Sequence, residues 1–119
     1  MLNCTSHEVG GVLIITFEES SPGTDDRSST HRQTLYNTIQ TRDDPRFAVD
    51  LTAVEYMSSA DIGFLISIKR RIDARKGALV LFGMNDDIQT TLSMMKLLPI
   101  FRLAADLPEA IAILPATQL

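Results

Sequence analysis

Phe47 to Gly83 reads FAVDLTAVEYMSSADIGFLISIKRRIDARKGALVLFG, a segment that predicts strand, loop, helix and strand in that order. Its first apolar run, residues 47–51, is interrupted only by Asp50 and is typical of a strand buried on both faces of a parallel sheet. Asp50 is then expected at the carboxyl end of that strand. A second apolar run, residues 78–82, ends at Gly83 and predicts the second strand.

An amphipathic helix over residues 60–76 is predicted to join the two strands. Its apolar residues recur at helical spacing: Ile62, Leu65, Ile66 and Ile72. Gly77 follows the last basic residue, where a left-handed glycine commonly ends a helix. Cations near its end are expected to complement the negative end of the helix dipole: Lys69, Arg70, Arg71, Arg75 and Lys76. Strand, crossover helix and strand wind right-handed with the strands parallel, so one βαβ unit anchors the predicted fold.

Two adjacent hydroxyl residues, Ser58 and Ser59, precede the predicted helix. One interpretation is an N-cap, in which a hydroxyl accepts a hydrogen bond from an unpaired amide of the first turn. The other is an exposed acceptor for a phosphate, which would face the positive end of the helix dipole. Spacing alone leaves both interpretations open, and the cap is favoured because helices generally need one.

Residues 50–63, DLTAVEYMSSADIG, resemble the signature of STAS domains, especially that of the bacterial anti-sigma-factor antagonists. That signature is roughly Asp-Leu-Ser, a variable stretch, an aromatic or aliphatic pair, and then Asp-Ser-Ser/Thr-Gly-Leu-Gly or Ser-Ser-Ala-Gly-Leu. In that family, the serine or threonine before the small residue and Gly-Leu is phosphorylated by a partner kinase that is also the anti-sigma factor. Matched residue by residue, this position is Ser59, with Ser58 as the second choice.

The resemblance also implies a surface that binds the partner kinase. This surface would combine residues around the start of the helix with acids of an earlier loop: Met57, Ser58, Ser59, Asp61, Ile62, Asp25 and Asp26. Asp61 stands where the family usually has glycine. An acid there suits the helix dipole while Ser59 is unmodified, but it would repel a phosphate with a charge of about −1.5 to −2.

Further elements are predicted on both sides of this unit. Before it lie a hairpin of residues 5–9 and 12–17 around Gly10-Gly11, a surface loop over 18–30 and a helix over 29–41. After it lie a helix capped by Asn85 or Asp86 and reaching Lys96, a strand or bend over 100–103 and a final helix opened by Asp106. Together the elements predict an α/β fold, a STAS-like mixed, mostly parallel central sheet of about four to five strands with about four packed helices.

Length and composition limit the possible classes of protein. The 119 residues fit one domain, residues 1–119, large enough to bury a core, and a net charge of −4 argues against a nucleic-acid partner. Cys4 is the only cysteine, so no internal disulfide can form and a cytoplasmic location is expected. The sequence has neither a signal segment nor a run of ~18 apolar residues, and we therefore predict no direct membrane insertion.

The sequence lacks the arrangements typical of catalytic or metal sites. His7 and His31 are the only histidines, and neither has a second ligand at metal spacing, so both are expected to be solvated. Nucleotide-binding glycine loops and dinucleotide fingerprints are absent. These observations predict a protein-binding module with no enzyme activity, no cofactor and no metal.

The function implied by the resemblance is partner switching. The unphosphorylated chain would bind a serine kinase that is also an anti-sigma factor, phosphorylation of Ser59 would weaken that binding, and a phosphatase would restore it. Two other interpretations remain open. One is a docking subunit, similar to STAS proteins of ABC-type lipid transporters, that binds an ATPase without phosphorylation. The other is a sensor that holds a small ligand between residues 18–28 and the strand ends.

Overall fold

The computed structural model describes residues 2–19 and 28–115. The strands are β1 (Asn3–Val9), β2 (Val12–Glu18), β3 (Arg46–Asp50), β4 (Ala78–Phe82) and β5 (Arg102–Ala104). The helices are α1 (Ser28–Thr41), α2 (Ser59–Ala74), α3 (Asp86–Met94) and α4 (Leu107–Ile113), with a 3-10 turn at Leu98–Ile100. The predicted α/β composition is confirmed.

The strands form one sheet in the order β1-β2-β3-β4-β5. Strands β1 and β2 pair antiparallel around Gly10 and Gly11, both of which have positive φ angles, as the predicted hairpin requires. Every other neighbouring pair is parallel. The sheet is therefore mixed and mostly parallel, as predicted, and the carboxyl ends of β3 and β4 lie at the same edge.

The sheet is covered on both faces because successive strand residues point to opposite sides. Ile15, Val49 and Leu81 belong to the larger core, which also contains the apolar residues of α1, α2 and α3. The strand residues that point to the other side of the sheet form a smaller core, which Ala110 of α4 closes: Val12, Ile14, Ala48, Val80 and Phe82. Burial on both faces explains why β3 and β4 read as continuous apolar runs.

The end of α2 differs from the prediction. The helix ends at Ala74, and the left-handed residue is Lys76, with φ 58°, rather than Gly77. The amides of Lys76 and Gly77 donate to the carbonyls of Asp73 and Ile72, which is the hydrogen-bond pattern of a Schellman motif. Gly77 is needed for another reason, since a Cβ there would lie 2.6 Å from the Pro45 carbonyl oxygen.

Other boundaries and contacts also depart from the sequence prediction. Helix α3 ends at Met94 instead of Lys96, because Lys96 adopts a left-handed conformation with φ 60°. Residues 98–100 form a 3-10 turn and β5 begins only at Arg102. Arg75 does not simply complement the dipole of its own helix, because its guanidinium donates to the Ile39 and Arg42 carbonyl oxygens at the end of α1.

Candidate functional site

The candidate site lies at the carboxyl edge of the sheet, where residues 51–58 connect β3 to α2. The connection is anchored at its start, because Asp50 Oδ1 accepts hydrogen bonds from the backbone amide of Thr52 (2.9 Å) and from its hydroxyl. Gly83, with φ +78°, follows β4 and packs so closely that a Cβ there would lie 2.4 Å from Thr52 Oγ1. The strand ends therefore hold the loop that leads to the two serines.

Ser58 is the N-cap of α2 and forms a reciprocal capping box with Asp61. The Asp61 amide donates to Ser58 Oγ (3.1 Å), while the Ser58 amide (2.9 Å) and hydroxyl (2.7 Å) both donate to Asp61 Oδ2. The cap interpretation is thus confirmed for Ser58, whose hydroxyl is fully engaged within the first turn.

Asp61 also connects the helix to the start of the chain. Its Oδ1 atom accepts a hydrogen bond of 2.8 Å from the backbone amide of Leu2, and the residue is only 4% exposed. Burial alone would raise the pKa of the Asp61 carboxyl, but the hydrogen bonds from Leu2 and Ser58 outweigh it and hold that pKa below its ordinary value. Asp61 is therefore an ionised, inward-facing acid.

Ser59 differs from Ser58 in exposure and in hydrogen bonding. It is the first residue of α2 and is exposed, whereas Ser58 is half-buried. Among the described residues, none forms a hydrogen bond with the Ser59 hydroxyl. Ser58 therefore caps the helix, whereas the Ser59 hydroxyl is exposed and has no partner within residues 2–19 and 28–115.

The remaining residues predicted for the partner surface are less exposed than the sequence suggests. Met57 and Ile62 are 4% and 3% exposed, and both belong to the larger core. With Asp61 they support the exposed turn from beneath rather than forming its outer surface. Tyr56, which the sequence did not single out, is 72% exposed beside them. The available signal was the adjacent pair Tyr56-Met57, since neighbouring side chains in an extended loop seldom point the same way.

Some predicted residues lie outside what the structure describes. Asp25 and Asp26 fall in the interval 20–27, as does most of the loop proposed for a small ligand, and the side chain of His31 is likewise outside. His7 is exposed on β1. Cys4 is buried, and burial raises the pKa of its thiol.

Residues 2–19 and 28–115 contain neither a metal-ligand cluster nor a candidate membrane span. No group of three or more His, Cys, Asp and Glu side chains that could hold a metal ion occurs in these ranges. No helix within them is long and apolar enough to cross a membrane.

Solved structures provide close matches to this fold. RsbS from Moorella thermoacetica, solved as a serine-to-glutamate variant, superposes with a TM-score of 0.79 and 21% identity, covering 92% of each chain. An anti-sigma-factor antagonist (STAS) domain protein from Planctomyces limnophilus has a TM-score of 0.76 and 18% identity, over 92% of this chain and 96% of its own. Bacillus SpoIIAA in its phosphorylated form has a TM-score of 0.69 and 16% identity, over 92% and 96%.

Sequence comparison gives the family directly. None of the curated protein sequences matches this chain. The family model of the STAS domain, however, matches residues 5–110, which include most of β1, the other four strands and the start of α4. The chain therefore belongs to the STAS domain family.

Proposed function

We propose that this protein is a partner-switching regulator of the anti-sigma-factor-antagonist type, controlled by phosphorylation of Ser59. The observation that carries the proposal is the exposed hydroxyl of Ser59, which forms no hydrogen bond with the described residues, beside a Ser58 hydroxyl that is engaged in the capping box. A kinase can reach the first hydroxyl without disturbing the fold. Reaching the second would require breaking the cap of α2.

The electrostatics of the first turn support a phosphate on Ser59. The cap satisfies the Asp61 amide, and the helix dipole places partial positive charge at this end of α2. Asp61 adds a negative charge nearby, but its carboxylate already accepts three hydrogen bonds and is turned inward. The repulsion predicted between Asp61 and a phosphate is therefore reduced by these donors.

A phosphate would change the character of the exposed turn. Ser59 and Ala60 are exposed and uncharged, so an unmodified turn can be covered by a partner at little desolvation cost. A phosphate would add a charge of about −1.5 to −2 at its centre. Burying that charge without a partner of opposite sign would weaken binding by about 3 kcal/mol, or roughly 100-fold.

The solved forms of two structural relatives support the same chemistry in this chain. SpoIIAA has been solved in a phosphorylated form, and RsbS has been solved with glutamate replacing a serine. By this analogy the partner of the present chain is a serine kinase that doubles as an anti-sigma factor, and a phosphatase restores the binding-competent form. The chain itself acts by binding and needs no catalytic group.

Quantitative recovery of partners from the protein's own cells tests the proposal. Tagged wild-type, Ser59→Asn and Ser59→Asp chains would be isolated, and the associated proteins measured by mass spectrometry. The last two variants have side chains of similar shape and differ in charge. We expect a serine kinase with the wild type and with Ser59→Asn, and at least about tenfold less with Ser59→Asp.

Other outcomes would contradict the switch. Equal recovery of a kinase with Ser59→Asp and Ser59→Asn would show that negative charge at this position does not control binding. Recovery of a transporter ATPase with all three chains would instead identify a docking subunit.

A further inference from the structure

A shallow crevice lies between the loop before α2 and the first turns of α3. Its floor consists of buried apolar side chains: Met57, Ile62, Ile88 and Leu92. Its rim is formed by Glu55, Tyr56, Asp87 and Thr91. The enclosed volume is only about 20 Å³, far below the several hundred cubic ångströms of a typical small-molecule pocket, so the crevice can admit the tip of one side chain.

The walls of the crevice are held at a fixed separation by Asn85. Its Oδ1 atom caps α3 by accepting from the Ile88 amide (2.8 Å). Its Nδ2 atom donates to the carbonyl oxygens of Val54 (3.3 Å) and Glu55 (3.1 Å) in the opposite wall. One side chain thus fixes the start of α3 against the loop that carries Tyr56. The crevice is preformed, which lowers the entropy cost of binding.

The surface continues from the crevice along α3. Asp87, Thr91 and Met94 are four and three residues apart and therefore share one face of the helix. The Thr91 hydroxyl donates to the Asp87 carbonyl oxygen of its own helix (2.9 Å). Met94, at the far end of this face, is 80% exposed, and exposed methionines suit adaptable protein contacts. The face spans about 10 Å, or two helical turns.

The charged residues that line the crevice are both acidic. Glu55 and Asp87 are exposed at its rim, Asp86 is an exposed neighbour of Asp87 at the start of α3, and no basic residue lines the crevice. Within the described ranges none of these carboxylates forms an ion pair. A partner that covers the apolar floor must therefore bring cations to the rim, because burying unpaired carboxylates is costly.

We propose that the crevice and the α3 face bind a basic amphipathic helix of the partner protein. An apolar side chain of that helix enters between Tyr56 and Thr91, a neighbouring Lys or Arg pairs with Asp87, and a further apolar residue covers Met94. This inference rests on the proposed function for the existence of a partner. It assigns that partner a second contact, separate from Ser59, and states its chemistry.

Site-specific photocrosslinking tests the assignment. Thr91 would be replaced by p-benzoylphenylalanine in the full chain, the protein irradiated in its own cells, and the crosslinked peptide sequenced by tandem mass spectrometry. The same replacement of Gln89, an exposed residue on the opposite side of α3, is the control. We expect the Thr91 position to form an adduct with a peptide that carries Lys or Arg beside apolar residues at helical spacing. The Gln89 position should form none with that peptide.

A charge-reversal variant provides an independent measurement. Asp87→Lys should reduce the yield of the Thr91 adduct about tenfold, whereas Gln89→Lys should leave it unchanged. No adduct at Thr91, an adduct with a second copy of this chain, or an adduct with an acidic peptide would overturn the proposal.

The crosslink separates this inference from the proposed function. Repeating it in a Ser59→Asp background reports on the switch. If the basic peptide is captured equally in both backgrounds, the crevice assignment stands and control by Ser59 fails. If Ser59→Asp releases the kinase but Thr91 never captures a basic peptide, the switch stands and the crevice assignment fails.

Discussion

At the scale of single residues, Asp61 is the most informative side chain of the site. Its carboxylate accepts hydrogen bonds from the Ser58 amide and hydroxyl in its own helix turn and from the Leu2 amide, 59 residues away in the sequence. These bonds stabilise the ionised form and lower its pKa. Asp61 therefore contributes to folding stability above the pKa of an unfolded aspartate, about 3.9, and loses that contribution as the pH falls through its folded value.

We predict that Asp61→Asn lowers the free energy of unfolding at pH 7 by about 1–3 kcal/mol, because the charge-assisted bonds are lost. The variant should also lose less stability than the wild type between pH 5 and pH 3, a window of about two units around the unfolded pKa. Urea unfolding at a series of pH values measures both effects. Asp87→Asn, which changes an exposed acid of α3, is the control. Parallel pH profiles for wild type and Asp61→Asn would contradict this account.

At the scale of elements, left-handed residues follow the carboxyl ends of α2 and α3. Both helices are followed by a lysine in the left-handed region, Lys76 with φ 58° and Lys96 with φ 60°. A side chain in this conformation costs about 1–2 kcal/mol that glycine would not. The sequence prediction placed the left-handed residue at Gly77 because glycine is the usual choice. In the structure, glycine is needed at position 77 because Pro45 lies too close to leave room for a Cβ atom.

We predict that Lys76→Gly raises the free energy of unfolding by up to about 1 kcal/mol by relieving this strain. Arg70→Gly, in the exposed interior of the same helix, is the matched control and should lower it by about 1 kcal/mol. Chemical denaturation measures both. A loss of stability in Lys76→Gly equal to that in Arg70→Gly would show that the left-handed strain is unimportant.

The junction between α3 and the Tyr56 loop depends on Asn85. Asn85→Ala should lower the free energy of unfolding by about 1–2 kcal/mol, because both the cap and the two donated bonds are lost. Aspartate caps a helix as well as asparagine but has no amide to donate, so Asn85→Asp keeps the cap, removes both bonds to the loop and turns a carboxylate oxygen toward the Val54 and Glu55 carbonyl oxygens. We expect it to lose about 0.5–1.5 kcal/mol in urea unfolding. A variant as stable as the wild type would show that these contacts contribute nothing.

At the scale of the whole molecule, different helices cover the two faces of the sheet, and only one of these faces carries the candidate site. Helices α1, α2 and α3 cover the larger core and carry the candidate site, whereas α4 closes the smaller core on the opposite face. Ala110 of α4 is fully buried against the sheet. Changes there should therefore alter stability without altering partner binding.

We predict that Ala110→Leu lowers the free energy of unfolding by about 1–3 kcal/mol, because the added carbons do not fit against the sheet. Ala112→Leu adds the same atoms at an exposed position of α4 and should change stability by less than about 0.5 kcal/mol. Recovery of the partner should be the same for both folded variants. Selective loss of the partner from Ala110→Leu at a temperature where it remains folded would contradict the separation of the two faces.

Local patterns and long-range contacts differ in how well the sequence predicts them. The βαβ unit, the hairpin at Gly10-Gly11 and a serine cap on α2 were all predicted, because each depends on residues adjacent in sequence. The bond from the Leu2 amide to Asp61 and the capping of α1 by Arg75 join residues far apart in the chain. Such contacts depend on topology and could not be predicted from spacing.

The sequence did not predict how exposed each residue of the expected partner surface is. Met57, Asp61 and Ile62, which the resemblance assigned to that surface, are buried, while Tyr56 beside them is exposed. A sequence motif records which residues a site needs and does not separate those that touch a partner from those that support the turn.

The most direct test of the central claim is tandem mass spectrometry of the protein isolated from its own cells with phosphatases inhibited. We predict a phosphate on Ser59 and none on Ser58, because the Ser59 hydroxyl is exposed and makes no hydrogen bond with the described residues, whereas the Ser58 hydroxyl is engaged with Asp61. The modification should vanish in Ser59→Ala. A phosphate on Ser58, or none on either serine under any growth condition, would contradict the claim that Ser59 is the switch.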